Sequence, residues 1–375
     1  MFRVNAQVPG KIFGGEKFDR GIFTMKTSRG GLLLVGYSGS FSDSDDVYVI
    51  KTNLRGERIW EKNIGGSKSD FGFGAAELDN DQGYLVVGFG DSYSSDENIF
   101  LIRLSVAGEV VWSKNLPKAG RQRGLSIQKL KDGNFLIAGQ TQDNATKVYR
   151  GLLTKVNAEG QVLWQSAYGN LLYNRLFYFT ENRKNEIVAT GICKKDSLSE
   201  NTGWVLKVDN TGKQQRSYLL TSIDQTTPHG ILTLPGEDIM IIGYAQLDTV
   251  RKERSIYLAR LNAGRELLWE RGHYEKGKVE HGLSATVTKN NTILVAGYTR
   301  DVDNPIWDAG IFEFDTNGNF KSKRQYSGTK SNNFYTLESL GKGAAVVVGH
   351  TFNSGKGEGD LWLLKVDSHG NSVSF

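Results

Sequence analysis

The chain has 375 residues, of which 38% are apolar, 23% charged, 45 are glycine and only five proline; this rules out collagen, a proline-rich linker and a disordered polyelectrolyte. Forty-six basic against 41 acidic residues leave a formal charge of +5, small and spread along the chain, which argues against a nucleic-acid partner. The single cysteine, Cys193, excludes an internal disulfide and a cysteine-built metal centre, and no run of about 18 apolar residues is present to make a transmembrane helix.

In chain order, the sequence opens with an overhang, residues 1–13. Its stretch 9–15 aligns with 60–66, the end of a fourth strand further on. The opening has no apolar h-region, so no signal peptide is expected. A unit then repeats: Leu33-Leu34-Val35-Gly36-Tyr37 returns as Leu85-Val86-Val87-Gly88-Phe89 and five times more. The repeat glycines are Gly36, Gly88, Gly139, Gly191, Gly243, Gly297 and Gly349, spaced by 52, 51, 52, 52, 54 and 52 residues. The units run 14–64, 65–116, 117–168, 169–220, 221–273, 274–326 and 327–375.

Each unit reads as four strands; in the second they are 71–78, 84–90, 99–104 and 110–115, with period-two alternation and no helical period. Glycines at tight turns, such as Gly31 and Gly83 between strands one and two and Gly56 and Gly108 between three and four, supply the positive φ those turns need. Four-strand units of ~52 residues predict an all-β fold: a seven-bladed β-propeller, four antiparallel strands per blade, one domain over 1–375. The last residues, 370–375, align with 56–61, the start of an outer strand, so both termini are expected to share the outer strand of the last blade and close the ring.

The block 205–212, Val-Leu-Lys-Val-Asp-Asn-Thr-Gly, and the segment from Leu104 through Gly108 to Trp112 resemble the repeat of quinoprotein-type propellers. They also resemble bacterial surface and secreted repeat proteins. The resemblance implies the propeller architecture and an extracellular, periplasmic or cell-surface location, with the cytoplasm left open by the missing signal peptide. It implies no activity. Seven units and no adjacent cysteine pair count against a quinone dehydrogenase, and no cofactor or metal is expected.

Strand two–three loops of nine to eleven residues mark one face as the working face. A column at the start of each innermost strand reads Arg20, Phe71, Arg123, Arg175, His229, His281 and Asn333 around the ring. These residues are expected to line the channel mouth as an anion-attracting funnel, unless each pairs with a carboxylate such as Asp19, Asp70 or Glu280. Aromatic residues join that face: Tyr37, Phe89, Tyr244 and Tyr298 after the repeat glycine, and Phe41, Tyr93, Trp307 and Phe352 in the loops. A basic residue recurs on strand three (Lys51, Arg103, Lys155, Lys207, Arg260, Lys365) and is read as structural, as are the outer-strand tryptophans 60, 112, 164 and 269. Acidic loops at 43–46, 91–97 and 301–303 match no EF-hand.

No serine-hydrolase elbow, zincin motif or phosphate loop appears. The expected function is therefore non-catalytic binding of a protein, or of an acidic or neutral glycan, by a monomer. Arg20, Arg123, Arg175, His229, His281, Asn333, Tyr37, Tyr244, Tyr298 and Trp307 are the candidate binding residues. The alternative is a polysaccharide lyase in which arginine neutralises a uronate and His or Tyr moves the proton. A third possibility is a purely structural module of a larger surface protein.

Overall fold

The computed structural model describes residues 8–92, 96–116, 120–248, 253–355 and 357–375. Among these are twenty-eight strands, labelled in chain order, and no α-helix. The first sheet holds β2 (Asp19–Lys26), β3 (Leu32–Ser38), β4 (Asp46–Thr52) and β5 (Arg58–Ile64), each antiparallel to the next. The same up-and-down order recurs in sheets that start with β6 (Asp70–Glu77), β10 (Arg121–Lys129), β14 (Tyr173–Glu181), β18 (Thr226–Thr233) and β22 (Lys278–Val287). A single parallel bridge, Arg254 to Val279, joins the sheets of β18 and β22.

The last sheet starts with β26 (Asn332–Gly341), continues through β27 (Ala344–Thr351) and β28 (Asp360–Asp367), and takes β1 (Lys11–Phe13) as its fourth strand. Ile12 stands opposite Trp362, and the Trp362 indole donates to the Pro9 carbonyl at 2.6 Å. Farther along β28, Ser372 bridges Val366. Both chain ends therefore lie along one strand.

The second and third strands of each sheet are largely apolar because both their faces are covered. Leu33, Val35 and Val49 pack on Tyr84, Val86 and Phe100 of the next sheet. Leu32, Leu34 and Ile50, facing the other way, pack on Val346, Val348 and Leu363 of the last sheet. Contacts between first strands run β2, β6, β10, β14, β18, β22, β26 and return from β26 to β2.

The repeat-locked basic residues hold strand three to the strand one–two turn: Lys155 to Asp132 (2.5 Å), Lys207 to Glu186 (2.8 Å), Arg260 to Asp238 (2.8 Å), and Lys51 to the Thr27 hydroxyl (2.6 Å). The tryptophans lean on the next sheet. The Trp60 and Trp164 indoles donate to Val106 O (3.0 Å) and Asn210 O (3.1 Å), and their rings close over Gly108 and Gly212.

One irregularity is common to every sheet. Pairing of the first strand with the second slips beside the repeat glycine, and the extra residue is Ile22, Phe73, Leu125, Phe177, His229, Leu283 or Tyr335; the last sheet slips a second time, between Ser339 and Gly341. This β-bulge brings the first strand's backbone onto the repeat glycine. A Cβ on Gly36, Gly139, Gly191 or Gly297 would lie 1.7–1.9 Å from the carbonyl oxygen of Arg20, Arg123, Arg175 or His281. Backbone cannot yield as a side-chain tip can. Gly191→Ala should therefore cost about 3 kcal/mol in chemical unfolding, whereas Ala at Gly133, where no atom lies within 4 Å of the added carbon, should cost only what its positive φ imposes, about 1 kcal/mol.

Candidate functional site: an axial cup

All seven bulge residues face one cavity of about 310 Å3 on the axis. It is also lined by Arg20, Arg123 and Arg175 from the starts of β2, β10 and β14, and by Tyr37, Phe89 and Tyr298 from the second strands. These lie at the end of the sheets that carries the long two–three loops. Tyr178 lines the cavity too and is hydrogen-bonded to Thr336 on β26, a strand not adjacent to β14. It thus reaches across the cavity towards β26, and burial pushes its phenol up to about 12. The space has the form of a cup.

The expected column needs one correction. Opposite the residue after the repeat glycine stand Arg20, Phe71, Arg123, Arg175, Thr227, His281 and Asn333. His229 is the bulge residue of its strand, two positions on, because Pro228 rather than Gly230 occupies the place of Gly21. Thr227 lies 16 residues before Gly243, as Arg20 does before Gly36, so counting back from the repeat glycine identifies it.

The three arginines differ. Arg123 is held by Glu97, Nε to Oε2 at 2.8 Å and Nη2 to Oε1 at 2.6 Å; burial opposes its charge, and this pair outweighs burial and raises its pKa. Arg20 has no ion-pair partner among the described residues. Its guanidinium sits 5.0, 5.5 and 5.4 Å from the rings of Phe18, Tyr37 and Tyr335, and its buried Nε has no acceptor. Arg175 donates from Nε to Gln140 and lies 5.4 and 5.6 Å from the rings of Tyr173 and Phe177; it too has no ion-pair partner among the described residues, and burial lowers its pKa. The neighbouring carboxylates do not answer the arginines. Asp19 accepts from Gly15 N (2.8 Å) and the serine hydroxyls 38 and 40, Asp70 from Gly66 N (3.0 Å), and Glu280 pairs with Lys323 (3.0 Å).

The histidines are neutral, so the funnel's charge comes from arginine alone. Burial, then Arg175, lowers His229 to about 4. Burial, then Arg254, holds His281 well below its ordinary range. His281 does not line the cup. It stacks on Tyr244 (centroids 4.0 Å apart, planes 11° off) and bonds the Tyr298 hydroxyl at 3.0 Å. Tyr244 lies between His229 and His281 (centroids 5.6 and 4.0 Å), and Trp307 stands 4.9 Å from the Tyr298 ring. These three form a second shell of rings behind the wall. Asn333 is also outside the cup and pairs with His350 across the strands. Phe352 packs on Phe18 and His350, and Phe41 on Tyr48. Tyr93 lies outside the described residues. Two of the acidic loops are answered by cations: Asp91 by Lys68 (3.8 Å), Glu97 by Arg123 and by Arg121 (3.3 Å), and Asp301 by Lys278 (2.6 Å); in the loop 43–46, Asp46 accepts from Asn63 (3.0 Å) and Asp45 feels Arg20 from farther off.

The sequence matches no protein-family profile and no curated protein. Among solved structures it is similar to puromycin hydrolase, at 12% identity and a TM-score of 0.60, covering 98% of this chain and 53% of that one. It is similar to YCF48 bound to D1 peptide (10% identity, TM-score 0.55, 94% of each chain) and to the β-propeller domain of the trilobed protease from Pyrococcus furiosus (10%, 0.54, 96% of each). The chain spans about half the length of puromycin hydrolase. Likeness at such identities establishes the fold alone: the chain is a β-propeller.

The depressed histidines make stability depend on pH. His229 is neutral in the fold above about 4, while the unfolded chain takes up a proton from 6.5 downward. Its contribution is complete above 6.5 and is lost as the pH falls towards 4, roughly 3 kcal/mol. Urea unfolding should show wild-type stability dropping over that window. His229→Gln should flatten the drop by that amount, a difference that cancels the carboxylates shared by both proteins.

Proposed function

We propose that residues 1–375 form one seven-bladed propeller, with quinoprotein-like repeats and a ring closed by both termini, that acts as a binding module. In this reading the axial cup on the long-loop face takes an anionic group presented by a protein or glycan. Support for the architecture comes from the repeated four-strand sheets, the ring order of first-strand contacts and the pairing of β1 with β28. The observation that carries the function is the pair of guanidiniums, Arg20 and Arg175, set in an aromatic cavity and closing no ion pair among the described residues, with Asp45 and Glu97 acting on them only from farther off. A charge taken out of water and left unpaired is unfavourable, so an arriving anion recovers energy that the empty cup withholds. A cup of about 310 Å3 also suits a small terminal group better than the middle of a polymer.

One observation favours an enzymatic reading as the alternative. Neutral His229 lines the same cup as the arginines and has a free capacity to accept a proton, as a lyase acting on a uronate requires. Incubation with acidic oligosaccharides, followed near 235 nm, separates the two: rising absorbance means cleavage, and binding at constant absorbance means recognition only.

An array of acidic peptides and oligosaccharides should yield ligands whose affinity falls about 10- to 100-fold in Arg175→Ala or Arg20→Ala, with unfolding midpoints unchanged. Arg123→Ala should do the reverse and lower stability by about 1 kcal/mol, because Glu97 loses its two-pronged partner and keeps the longer contact to Arg121 (3.3 Å). Equal destabilisation by all three would mean that the arginines are structural.

A further inference from the structure

The second shell of rings determines the direction of a hydrogen bond. Arginine only donates. Arg254 Nη1 lies 3.1 Å from His281 Nε2, so Nε2 accepts and the neutral imidazole carries its proton on Nδ1. Nδ1 lies 3.0 Å from the Tyr298 oxygen and donates to it. Tyr298 therefore has its own proton left to give, and Tyr298 lines the cup. His281 cannot turn away from this arrangement: it is 5% exposed, stacked on Tyr244, and 5.3 Å from Trp307. Arg254 is steadied over the Tyr244 ring at 5.3 Å.

The cup thus presents two guanidiniums and one directed hydroxyl above a collar that is mostly hydrocarbon: Ile22, Phe73, Leu125, Phe177 and Leu283. Its volume of about 310 Å3 stands at the small end of pockets that hold small molecules, with room for a single ring and its acid group. A dianionic phosphate would bring three strongly hydrated oxygens against this apolar wall. A carboxylate needs fewer donors and carries its apolar body directly behind it.

We propose that the cup reads a carboxylate borne on an aromatic body, with Arg20 and Arg175 taking the charge and Tyr298, aimed by His281 and Arg254, donating a further hydrogen bond. This rests on the cup being the ligand site. Tyr298 is a specificity residue, and His281 and Arg254 are positioning residues. Two sources carry this chemistry, a free aromatic acid and a peptide C-terminus ending in phenylalanine.

Calorimetry with 3-phenylpropanoate, phenyl phosphate, the peptide Gly-Gly-Gly-Phe and its C-terminal amide tests this. The acid or the peptide should bind at millimolar concentration or below, and the amide and phenyl phosphate at least about tenfold more weakly. A preference for the peptide over the free acid identifies the C-terminus as the source. Tyr298→Phe and His281→Phe should each weaken binding about tenfold, and the double variant should lose no more than either alone, because they act through one hydrogen bond. Circular dichroism should show that both variants fold, since Tyr298→Phe removes only an oxygen. Three outcomes overturn the proposal: no binding by the acid or the peptide, equal binding of acid and phosphate, or unchanged binding in Tyr298→Phe. If binding survives Arg20→Ala and Arg175→Ala, the cup itself is not the site. If binding needs the arginines but ignores Tyr298, the cup stands and the hydroxyl has no part.

Discussion

The rest of the structure depends on the bulge beside the repeat glycine, where each first strand carries one residue more than its partner. An extra residue in each first strand bends it and presses its backbone onto the second strand, where only glycine leaves room. The same extra residue turns inward. The spacing that holds the sheets together thus also produces a collar of seven side chains around a common space. Scaffold and site have one cause, so the collar's composition can vary while its position cannot.

On that collar the chain places an unusual electrostatic arrangement. One arginine is held in contact by a loop glutamate, and two lie against aromatic faces, with carboxylates acting on them only from beyond ion-pair distance. Rings tolerate a cation through their quadrupole and impose no fixed counter-charge. The site can therefore keep its charge and remain open to an anion from outside. Neutral histidines fit the same design, since protonated imidazoles beside Arg175 and Arg254 would repel them.

Architecture was legible in the sequence because it depends on a period. The glycines at 36, 88, 139, 191, 243, 297 and 349 mark the same backbone crowding in every unit, and the matching of 9–15 to 60–66 anticipated the strand that joins β28. Arg20, Arg123, Arg175, Tyr37 and Tyr298 were legible as cup residues for the same reason. His229 was selected through the wrong register, since Gly230 imitates the glycine that follows the column elsewhere. Ile22, Phe73, Leu125 and Leu283 were missed, because an apolar residue in a strand carries no mark that it sits on a bulge and faces inward. The pairing of Arg123 with Glu97 joins residues on different repeats, so no periodic signal records it.

Tyr178 has a consequence of another kind. Reaching from β14 towards Thr336 on β26, it ties together two strands that are not neighbours, so that a change of shape on one side of the cup is felt directly on the other.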